Sequence, residues 1–249
     1  MNIQLADATL FRKSIDALKD FLPQGQIQLT DEGLRIRGMD SSHVGFVDYF
    51  LSATDCAAFH VPNNCVIGIS TILLAKVLGT AGGGDKMTLS MANGDEKLHI
   101  AFAGESKTAK FEINTLDIEA DAIELPELSY SASVRAKSAD FMTAIRDLSL
   151  FADTIQLSLN EEGFHLRANG DQGNADLTFE PADDREMTLE GDSVDALFAL
   201  KYLQTIVKNC GLLSSLMEIS FDAGQPLRAV AKFGKESHFI AYLAPKMED

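Results

Sequence analysis

Apolar residues recur every three or four positions in two stretches of the chain, one beginning near Ala8 and the other near Ala139. This spacing places apolar side chains on one face of a helix. The apolar positions are Leu10, Phe11, Ile15, Leu18 and Phe21 in the first stretch, and Phe141, Ile145, Leu148 and Phe151 in the second. Each stretch therefore predicts a helix with a single buried face.

Each predicted helix is followed by a pattern typical of a β-hairpin. Apolar and polar residues alternate in two short runs, separated by a turn that ends in glycine. Alternation indicates strands with one buried face, and glycine enters a left-handed turn conformation at little cost. The strands and turns are Ile27–Thr30, Asp31–Gly33 and Leu34–Arg37 in the first hairpin, and Ile155–Leu159, Asn160–Gly163 and Phe164–Arg167 in the second.

A second helix and three strands complete the pattern in each half. The predicted helices are Thr71–Gly79 and Ser193–Asn209. The predicted strands are Met87–Ala92, Lys97–Ala103 and Lys107–Asn114 in the first half, and Leu216–Phe221, Leu227–Phe233 and His238–Leu243 in the second. Asn93-Gly94 and Asp222–Gly224 supply hairpin turns. Because the same order of elements occurs twice, at an offset of about 130 residues, the sequence predicts a duplicated domain.

The segment between the two halves, residues 116–130, has no sustained periodicity. It contains five acidic residues and Pro126, which is typical of an extended connector. The sequence therefore predicts an N-terminal domain at residues 1–115, a connector at 116–130 and a C-terminal domain at 131–249. In each domain we expect two helices on a largely antiparallel sheet, which is an α+β architecture.

Composition excludes several classes of protein. The 249 residues are 46% hydrophobic and 23% charged, and no run of about 18 apolar residues could span a bilayer, so we expect a soluble globular protein. The N-terminus lacks a secretory signal, and three cysteines are an odd number, so we expect an intracellular protein with reduced thiols. A net charge of −16 should repel nucleic acid unless the basic residues are gathered on one surface.

No pattern of residues indicates catalysis or metal binding. Gly82–Lys86 is rich in glycine but lacks the spacing of a phosphate-binding loop, and Gly68–Ile72 lacks the final glycine of a nucleophile elbow. The five histidines stand apart from one another, with no cysteine at zinc spacing. We therefore expect no catalytic residue, cofactor or metal, and a protein that is not an enzyme. A hydrolase with a triad assembled from distant residues is the alternative from another class.

Basic residues are concentrated in the predicted helices. These helices hold seven of the 21 bases but only five of the 37 acids. The bases are Arg12, Lys13, Lys19, Lys76, Arg146, Lys201 and Lys208, and the acids are Asp16, Asp20, Asp140, Asp147 and Asp195. One interpretation is a solvated helix face with local ion pairs, such as Lys13 with Asp16 and Lys19 with Asp20. The other is a surface that contacts DNA phosphates without reading the base sequence.

Four motifs carry a resemblance to a known family. They are Ala17-Leu18-Lys19-Asp20, Met39-Asp40-Ser41-Ser42-His43-Val44, Leu125-Pro126-Glu127 and the ending Tyr242-Leu243-Ala244-Pro245-Lys246-Met247-Glu248-Asp249. Over its whole length the chain resembles the eukaryotic and archaeal DNA sliding clamp, the proliferating cell nuclear antigen family. The resemblance implies two similar domains of the clamp fold. It also implies a ring-shaped homotrimer in which the helices of six domains surround duplex DNA.

The resemblance implies a function as well. A ring of this family acts as a polymerase processivity factor and as a recruitment platform for replication and repair proteins, including DNA polymerases and the clamp loader. A checkpoint-type subunit of a heterotrimeric ring is the alternative within the family. The implied location is the nucleus of a eukaryote or the cytoplasm of an archaeon, with a viral gene as the alternative source. No membrane partner is implied.

Residue by residue, the DNA-facing positions of the family fall on the same seven bases. Gly79 and Thr143 stand where relatives often carry a base, which implies a channel with fewer phosphate contacts. Glu161 stands where the eukaryotic clamp carries its ubiquitin-accepting lysine. The resemblance therefore implies a less positive channel and no lysine to modify at that position.

The resemblance implies two further surfaces. Partners of the family insert a peptide, a glutamine followed by an aliphatic and two aromatic residues, into a groove beneath the connector, and paired strand edges join neighbouring subunits. The groove residues are Met39, His43, Val44, Phe46, Ile123, Leu125, Pro126, Tyr130, Pro226, Tyr242, Ala244 and Pro245. The subunit-interface residues are Lys107, Lys110, Phe111, Ile113, Asn174, Leu177 and Phe179.

Overall fold

The structure is a computed structural model that describes residues 1–118 and 128–246. Within these ranges the chain forms α1 (Thr9–Leu18), α2 (Thr71–Leu78), α3 (Ser138–Leu148) and α4 (Leu200–Leu213). A short 3-10 turn occupies Ala53–Asp55. Among the described helices none has the length and apolar character needed to cross a membrane.

The described residues also form eighteen strands. In the N-terminal half these are β1 (Asn2–Leu5), β2 (Gln24–Leu29), β3 (Gly33–Met39), β4 (Gly45–Ser52), β5 (Ala58–His60), β6 (Cys65–Ser70), β7 (Lys86–Ser90), β8 (Lys97–Ala103) and β9 (Thr108–Asn114). In the C-terminal half they are β10 (Ala132–Lys137), β11 (Thr154–Asn160), β12 (Gly163–Gly170), β13 (Gly173–Phe179), β14 (Glu186–Leu189), β15 (Ser193–Ala199), β16 (Leu216–Phe221), β17 (Leu227–Phe233) and β18 (Ser237–Leu243).

The chain folds into two compact units. Unit 1 is formed by Met1–Ser41, Val47–Ile123 and Phe233–Phe239, and unit 2 by Ser42–Phe46, Glu124–Lys232 and Ile240–Asp249. Each unit therefore includes a short segment from the other half of the sequence. The predicted domain limits at residues 115 and 131 stay predictions, and most of the predicted connector lies outside the described residues.

In unit 1 the two helices contact each other, and α2 also contacts strands β2, β6 and β9. One antiparallel sheet has the strand order β5-β1-β7-β8-β9, and further strands run in the order β4-β3-β2-β6. The apolar faces of the helices supply Phe11, Ile15, Leu18, Leu74 and Leu78 to the core, where all five are buried. Burial of one such side chain contributes about 1.5–3 kcal/mol, so these two faces fix the helices on the strands.

In unit 2 helices α3 and α4 also contact each other. One sheet has the strand order β13-β12-β11-β15, and further strands run in the order β14-β10-β16-β17-β18. The ring of Phe164 lies 5.8–6.2 Å from the rings of Phe141, Phe179 and Phe221. Aromatic pairs at this distance add about 0.5–1.5 kcal/mol beyond burial, so Phe164 joins α3 to the strands around it.

Three of the four predicted helices are confirmed, with their starts correct to within one residue. The predicted helix at Ser193–Asn209 is wrong in its first part, because Ser193–Ala199 forms strand β15 and α4 begins at Leu200. Strand β15 pairs with β11 along its whole length. Val194, Ala196 and Phe198 are its buried residues, so the spacing here is that of a strand.

Both predicted hairpins are confirmed. All six predicted terminal strands are also confirmed, and the ends of these six strands are correct to within two residues. Gly163 has the positive φ of 145° that makes glycine suitable for its turn. Gly33 is needed for a different reason. A Cβ atom at Gly33 would lie 2.3 Å from the Leu51 carbonyl oxygen, so the close approach of another strand excludes a side chain there.

Candidate DNA-facing helices, partner groove and strand edges

The described helices contain twice as many basic residues as acidic ones. The six bases are Arg12, Lys13, Lys76, Arg146, Lys201 and Lys208, and the three acids are Asp16, Asp140 and Asp147. Two acids of the predicted helices fall elsewhere, because Asp195 lies in β15 and Asp20 follows α1. Lys19, the seventh predicted base, is the residue immediately after α1. The helices therefore carry net positive charge in a chain of net charge −16.

On α1 the charged residues lie opposite the buried face, and Arg12 and Lys13 are partly exposed. The Lys19 ammonium lies 2.5 Å from the Asp16 carboxylate, so the predicted pairing of Asp16 with Lys13 is wrong. An acid that precedes its lysine by one turn has the better orientation along a helix, which favours Lys19. An exposed pair of this kind contributes about 0–1 kcal/mol, so a phosphate can replace Asp16 as the partner of Lys19.

The outer face of α2 is partly apolar. Lys76 is exposed, and Ile72 and Leu73 on the same short helix are 43% and 44% exposed. Ser70 begins the helix, because its hydroxyl accepts a hydrogen bond from the Leu73 amide at 3.2 Å. The face of α2 that presents Lys76 therefore offers one positive charge beside exposed aliphatic side chains.

Helices α3 and α4 bring Arg146 and Lys208 together in one cleft of about 480 Å³. Met142, Thr143 and Gln204 also line this cleft. The Arg146 guanidinium donates hydrogen bonds to Asp147 at 3.1 and 3.2 Å, but both side chains are exposed and water weakens the pair. Lys201 is exposed at the start of α4 and lies outside the cleft lining.

Three contacts join six of the predicted groove residues in pairs within unit 2. With Pro245, which follows Ala244, we call these residues the unit 2 cluster: Val44, Phe46, Tyr130, Pro226, Tyr242, Ala244 and Pro245. The rings of Phe46 and Tyr242 lie 6.1 Å apart. The Ala244 amide donates to the Val44 carbonyl oxygen at 2.9 Å, and the Tyr130 hydroxyl donates to the Pro226 carbonyl oxygen at 2.9 Å. Phe46 is only 3% exposed, whereas the other six are partly exposed.

Burial raises the pKa of Tyr130, and the neighbouring Tyr242 adds to this effect. Tyr130 therefore keeps its proton and its hydrogen bond to Pro226 across the neutral range. The unit 2 cluster thus combines a fixed Tyr130, a buried Phe46 and a partly exposed Tyr242, an arrangement suited to hold an apolar peptide side chain.

The remaining predicted groove residues fall into two groups. His43 is exposed and has a positive φ of 55°, and Met39 lies at the end of β3 in unit 1. Ile123, Leu125 and Pro126 lie outside the described residues, so their assignment to the groove stays a prediction.

Strands β9 and β13 are each the last strand of their sheet. They contain six of the seven predicted interface residues: Lys110, Phe111 and Ile113 in β9, and Asn174, Leu177 and Phe179 in β13. Lys107 immediately precedes β9. All seven residues are therefore at or next to a strand with one side free to pair.

In β9 the odd-numbered residues direct their backbone groups into the sheet. The Lys107 carbonyl oxygen accepts from the Gly104 amide at 3.0 Å, and the Thr115 amide donates to the Glu96 carbonyl oxygen at 2.9 Å. Hydrogen-bonded pairs alternate along an antiparallel ladder, so the odd-numbered residues between these ends bond to β8. The even-numbered residues of β9, including Lys110, therefore point their N–H and C=O groups away from the sheet.

The same alternation applies to β13. A two-residue turn joins β12 to β13 and closes on the pair Gly170 and Gly173. The residues that flank a two-residue hairpin turn form a hydrogen-bonded pair, so odd-numbered residues of β13 bond to β12. The free backbone groups of this edge belong to Asn174, Asp176 and Thr178.

Two family models match the chain. Residues 1–124 match "Proliferating cell nuclear antigen, N-terminal domain", and residues 124–247 match "Proliferating cell nuclear antigen, C-terminal domain". The chain belongs to this family. It is a DNA sliding clamp and a processivity factor, with a role in DNA replication and repair.

Two relatives cover almost the whole clamp. It is 29% identical over 253 residues to proliferating cell nuclear antigen 2 of Drosophila melanogaster. The aligned region covers 100% of this chain and 98% of that relative. It also resembles the crystal structure of proliferating cellular nuclear antigen from Entamoeba histolytica, with a TM-score of 0.92 and 26% identity over 99% and 98% of the two chains. The predicted clamp fold of two similar α+β domains is therefore confirmed.

The sequence predicts that the strands near residues 107–114 and 174–179 of this clamp pair between subunits, but not which of their backbone groups are free. The free groups include those of Thr108, Glu112, Asp176 and Thr178. Alternation in the sequence separates odd from even positions, but it does not show which set bonds to the neighbouring strand. That information comes from the turns that precede β9 and β13.

Proposed function

We propose that three copies of this chain close into a ring and that α1, α2, α3 and α4 of each copy face duplex DNA. The charge distribution carries this proposal. Only three of the 37 acidic residues lie in the described helices, against six of the 21 basic ones. A ring with the helices inside directs these positive charges at the DNA phosphates and keeps the acids of strands and loops away from them.

Encirclement retains DNA without tight contacts. Each phosphate contact contributes about 0.9 to the slope of log affinity against log salt, and such contacts carry no base specificity. Exposed Ile72, Leu73 and Met142 make no ionic contact with phosphates, so the helix face supplies a small number of separate ionic contacts. We infer that the ring holds duplex DNA loosely enough to slide while its closure prevents escape.

We infer that the unit 2 cluster is the floor of a groove for partner peptides of the glutamine-aliphatic-aromatic-aromatic type. Partly exposed apolar side chains on a fixed backbone give such a peptide an apolar surface without a large ordering penalty. We expect DNA polymerases and the clamp loader to carry these peptides.

In this proposal the ring is a scaffold and not an enzyme. Its partners supply the chemistry, and the ring supplies their attachment to DNA. In a eukaryotic cell the place of action is the nucleus, where the chromosomal DNA is replicated.

The DNA-facing assignment is tested by reversing four charges. Replacing Lys19, Lys76, Arg146 and Lys208 by glutamate should reduce clamp retention on circular DNA and lower the salt slope by about 0.9 for each lost contact. The control replaces Arg37, Lys86, Lys232 and Lys235, which are exposed outside the helices, by glutamate, so that the net charge changes equally. Equal loss in both variants, or no loss in the first, would remove the helices from the DNA-facing surface.

The ring itself is tested by light scattering of the purified chain across a concentration series. A mass of three subunits is the expected result. A chain that stays monomeric and assembles only with other clamp subunits would contradict the homotrimer and favour a checkpoint-type ring.

A further inference from the structure

The cleft between α3 and α4 is bounded by one face of each helix. On α3 its lining residues recur every three or four positions and lie in one row about 10 Å long: Ala139, Met142, Thr143 and Arg146. On α4 Gln204 and Lys208 are one turn apart and form the opposite wall. The volume of about 480 Å³ lies within the range of sites that hold small organic molecules.

The charges that line this cleft are positive. Arg146 and Lys208 belong to the lining, and none of the described lining residues is acidic. The Arg146 guanidinium bonds to Asp147, but both side chains are exposed, so an anion in the cleft can displace this partner. A guanidinium is a planar fork that binds both oxygens of a carboxylate. The cleft therefore favours an anion, and Arg146 suits a carboxylate.

The rest of the lining is largely apolar. Met142 is 39% exposed, and the helix residues Ile145 and Val207 also line the cleft. Gly211 on α4 leaves room for Met142, because a Cβ atom at this position would lie 2.4 Å from the Met142 Sδ atom. A methionine side chain adapts its shape to different apolar ligands. An apolar group bound here would cover a side chain that otherwise contacts water.

We propose that this cleft binds an organic acid with an apolar body, of the class of medium-chain fatty acids. Arg146 and Lys208 hold the carboxylate, and Met142, Ile145 and Val207 contact the alkyl chain. The row of lining residues runs along α3, which suits an extended chain. Binding itself concerns unit 2 alone. Because Arg146 and Lys208 are also proposed to face DNA, a bound acid should compete with DNA, and this consequence rests on the proposed function.

The test is equilibrium dialysis of the unmodified chain against labelled decanoate, below the concentration at which decanoate forms micelles. Decanol and decyltrimethylammonium carry the same chain with no charge and with a positive charge. Decanoate should saturate a single site on each chain and bind about tenfold or more tightly than either, because charge-assisted hydrogen bonds exceed neutral ones. Equal binding of the three compounds, or no saturable binding of decanoate, would overturn the proposal.

Variants locate the site. Thr143 is exposed on the α3 wall, so Thr143→Trp should fill the cleft without a change of charge and abolish saturable decanoate binding. Arg146→Gln combined with Lys208→Gln should weaken decanoate and leave decanol binding unchanged. Lys232→Gln is the matched control, since Lys232 is an exposed lysine of β17 in the same unit, and it should bind decanoate normally. Full decanoate affinity in a folded Thr143→Trp variant, checked by circular dichroism, would place binding elsewhere and overturn the proposal.

Competition with DNA separates this inference from the proposed function. Decanoate should reduce retention of the unmodified clamp on circular DNA and should have no such effect on Thr143→Trp. If decanoate binds in dialysis but leaves DNA retention unchanged, the fatty-acid site stands and the assignment of α3 and α4 to the DNA-facing surface is contradicted. If the clamp is retained on DNA but decanoate does not bind in dialysis, the site is overturned and the ring proposal stands.

Discussion

The Asp55 carboxylate binds both polar groups of Ser237: its Oδ2 atom accepts the Ser237 hydroxyl at 2.6 Å and the Ser237 amide at 3.1 Å. The Lys235 and Glu236 amides donate to the same carboxylate at 2.6 and 3.2 Å. Gly234 precedes them with a φ of 61°, and a Cβ atom there would lie 2.6 Å from Asp55. Asp55 therefore holds the turn between β17 and β18 in place within unit 1 by accepting these hydrogen bonds.

We expect Asp55→Ala to lower the free energy of unfolding by about 2 kcal/mol, because several backbone donors would lose a charged acceptor. Chemical denaturation of the variant measures this. Glu105→Ala is a suitable control, since Glu105 is an exposed acid in another turn of unit 1. A variant as stable as the control would show that water replaces Asp55 without penalty.

The Asp55 contact should also depend on pH. Burial alone would raise the pKa of Asp55, but the hydrogen bonds from Ser237 and the amides of residues 235–237 outweigh it and lower the pKa below 3.8. A carboxyl with a lowered pKa in the folded state stabilises the fold above its unfolded pKa of about 4 and loses this effect as the pH falls. The difference in stability between the unmodified chain and Asp55→Ala should therefore shrink as the pH falls below about 4.

The three cysteines should react at different rates. Burial raises the pKa of Cys56 to about 11, helped by the Asp55 charge, and raises that of the fully buried Cys210 to about 12. Cys65 is exposed. Because the thiolate is the reactive form, a thiol reagent at pH 8 should label Cys65 first. Cys65→Ser should remove the fast phase and Cys56→Ser should keep it; rapid labelling of Cys65→Ser would refute the order.

Two residues of the unit 2 cluster should differ in what they contribute, Tyr242 mainly to peptide binding and Phe46 mainly to the stability of the fold. Tyr242→Ala should weaken a fluorescent glutamine-aliphatic-aromatic-aromatic peptide by about tenfold or more with a small change in melting temperature, because Tyr242 is partly exposed. Phe46→Ala should lower stability by about 3–5 kcal/mol, because Phe46 is buried. Tyr202→Ala on α4 is the control for loss of a partly exposed tyrosine. Full peptide affinity in Tyr242→Ala would place the groove elsewhere.

Proline substitution distinguishes the β9 residues whose N–H groups bond to β8 from those whose N–H groups point away from the sheet. Glu112→Pro removes an outward N–H, so the chain should fold but the trimer should dissociate at higher subunit concentration. Ile113→Pro removes an N–H that bonds to β8 and should lower the stability of the subunit itself. Thermal unfolding combined with light scattering separates the two effects. If Glu112→Pro stays trimeric, the β9 edge does not pair across subunits.

Helices and hairpins were predictable where the sequence marks their ends. Ser70 caps α2, and the segment that ends at Gly163 gives its hairpin a clear turn. The error at Ser193–Ala199 has a physical cause. Strand β15 continues directly into α4, and Ala199 offers no capping side chain, so an apolar run crosses the boundary without a signal.

The site residues were predictable to different degrees. Positive charge is visible in the sequence, so all six bases of the described helices were identified. The pairing of Lys19 with Asp16 depends on orientation along α1 and needed the structure. The grouping of Val44 with Ala244 also needed it, because 200 positions separate them in the sequence and only the folded chain brings their backbones together.

The alternation of hydrogen bonds along β9 and β13 leaves an unfinished ladder on each of these two strands. In the proposed ring of three each β9 edge pairs with a β13 edge, whereas an open ring or a free subunit leaves one edge of each kind bare and able to recruit an extended chain. Opening the ring to admit DNA therefore exposes a β9 edge and a β13 edge to unwanted strand pairing. A protein that opens the clamp should shield β9 and β13, and the interval between opening and reclosure should be brief.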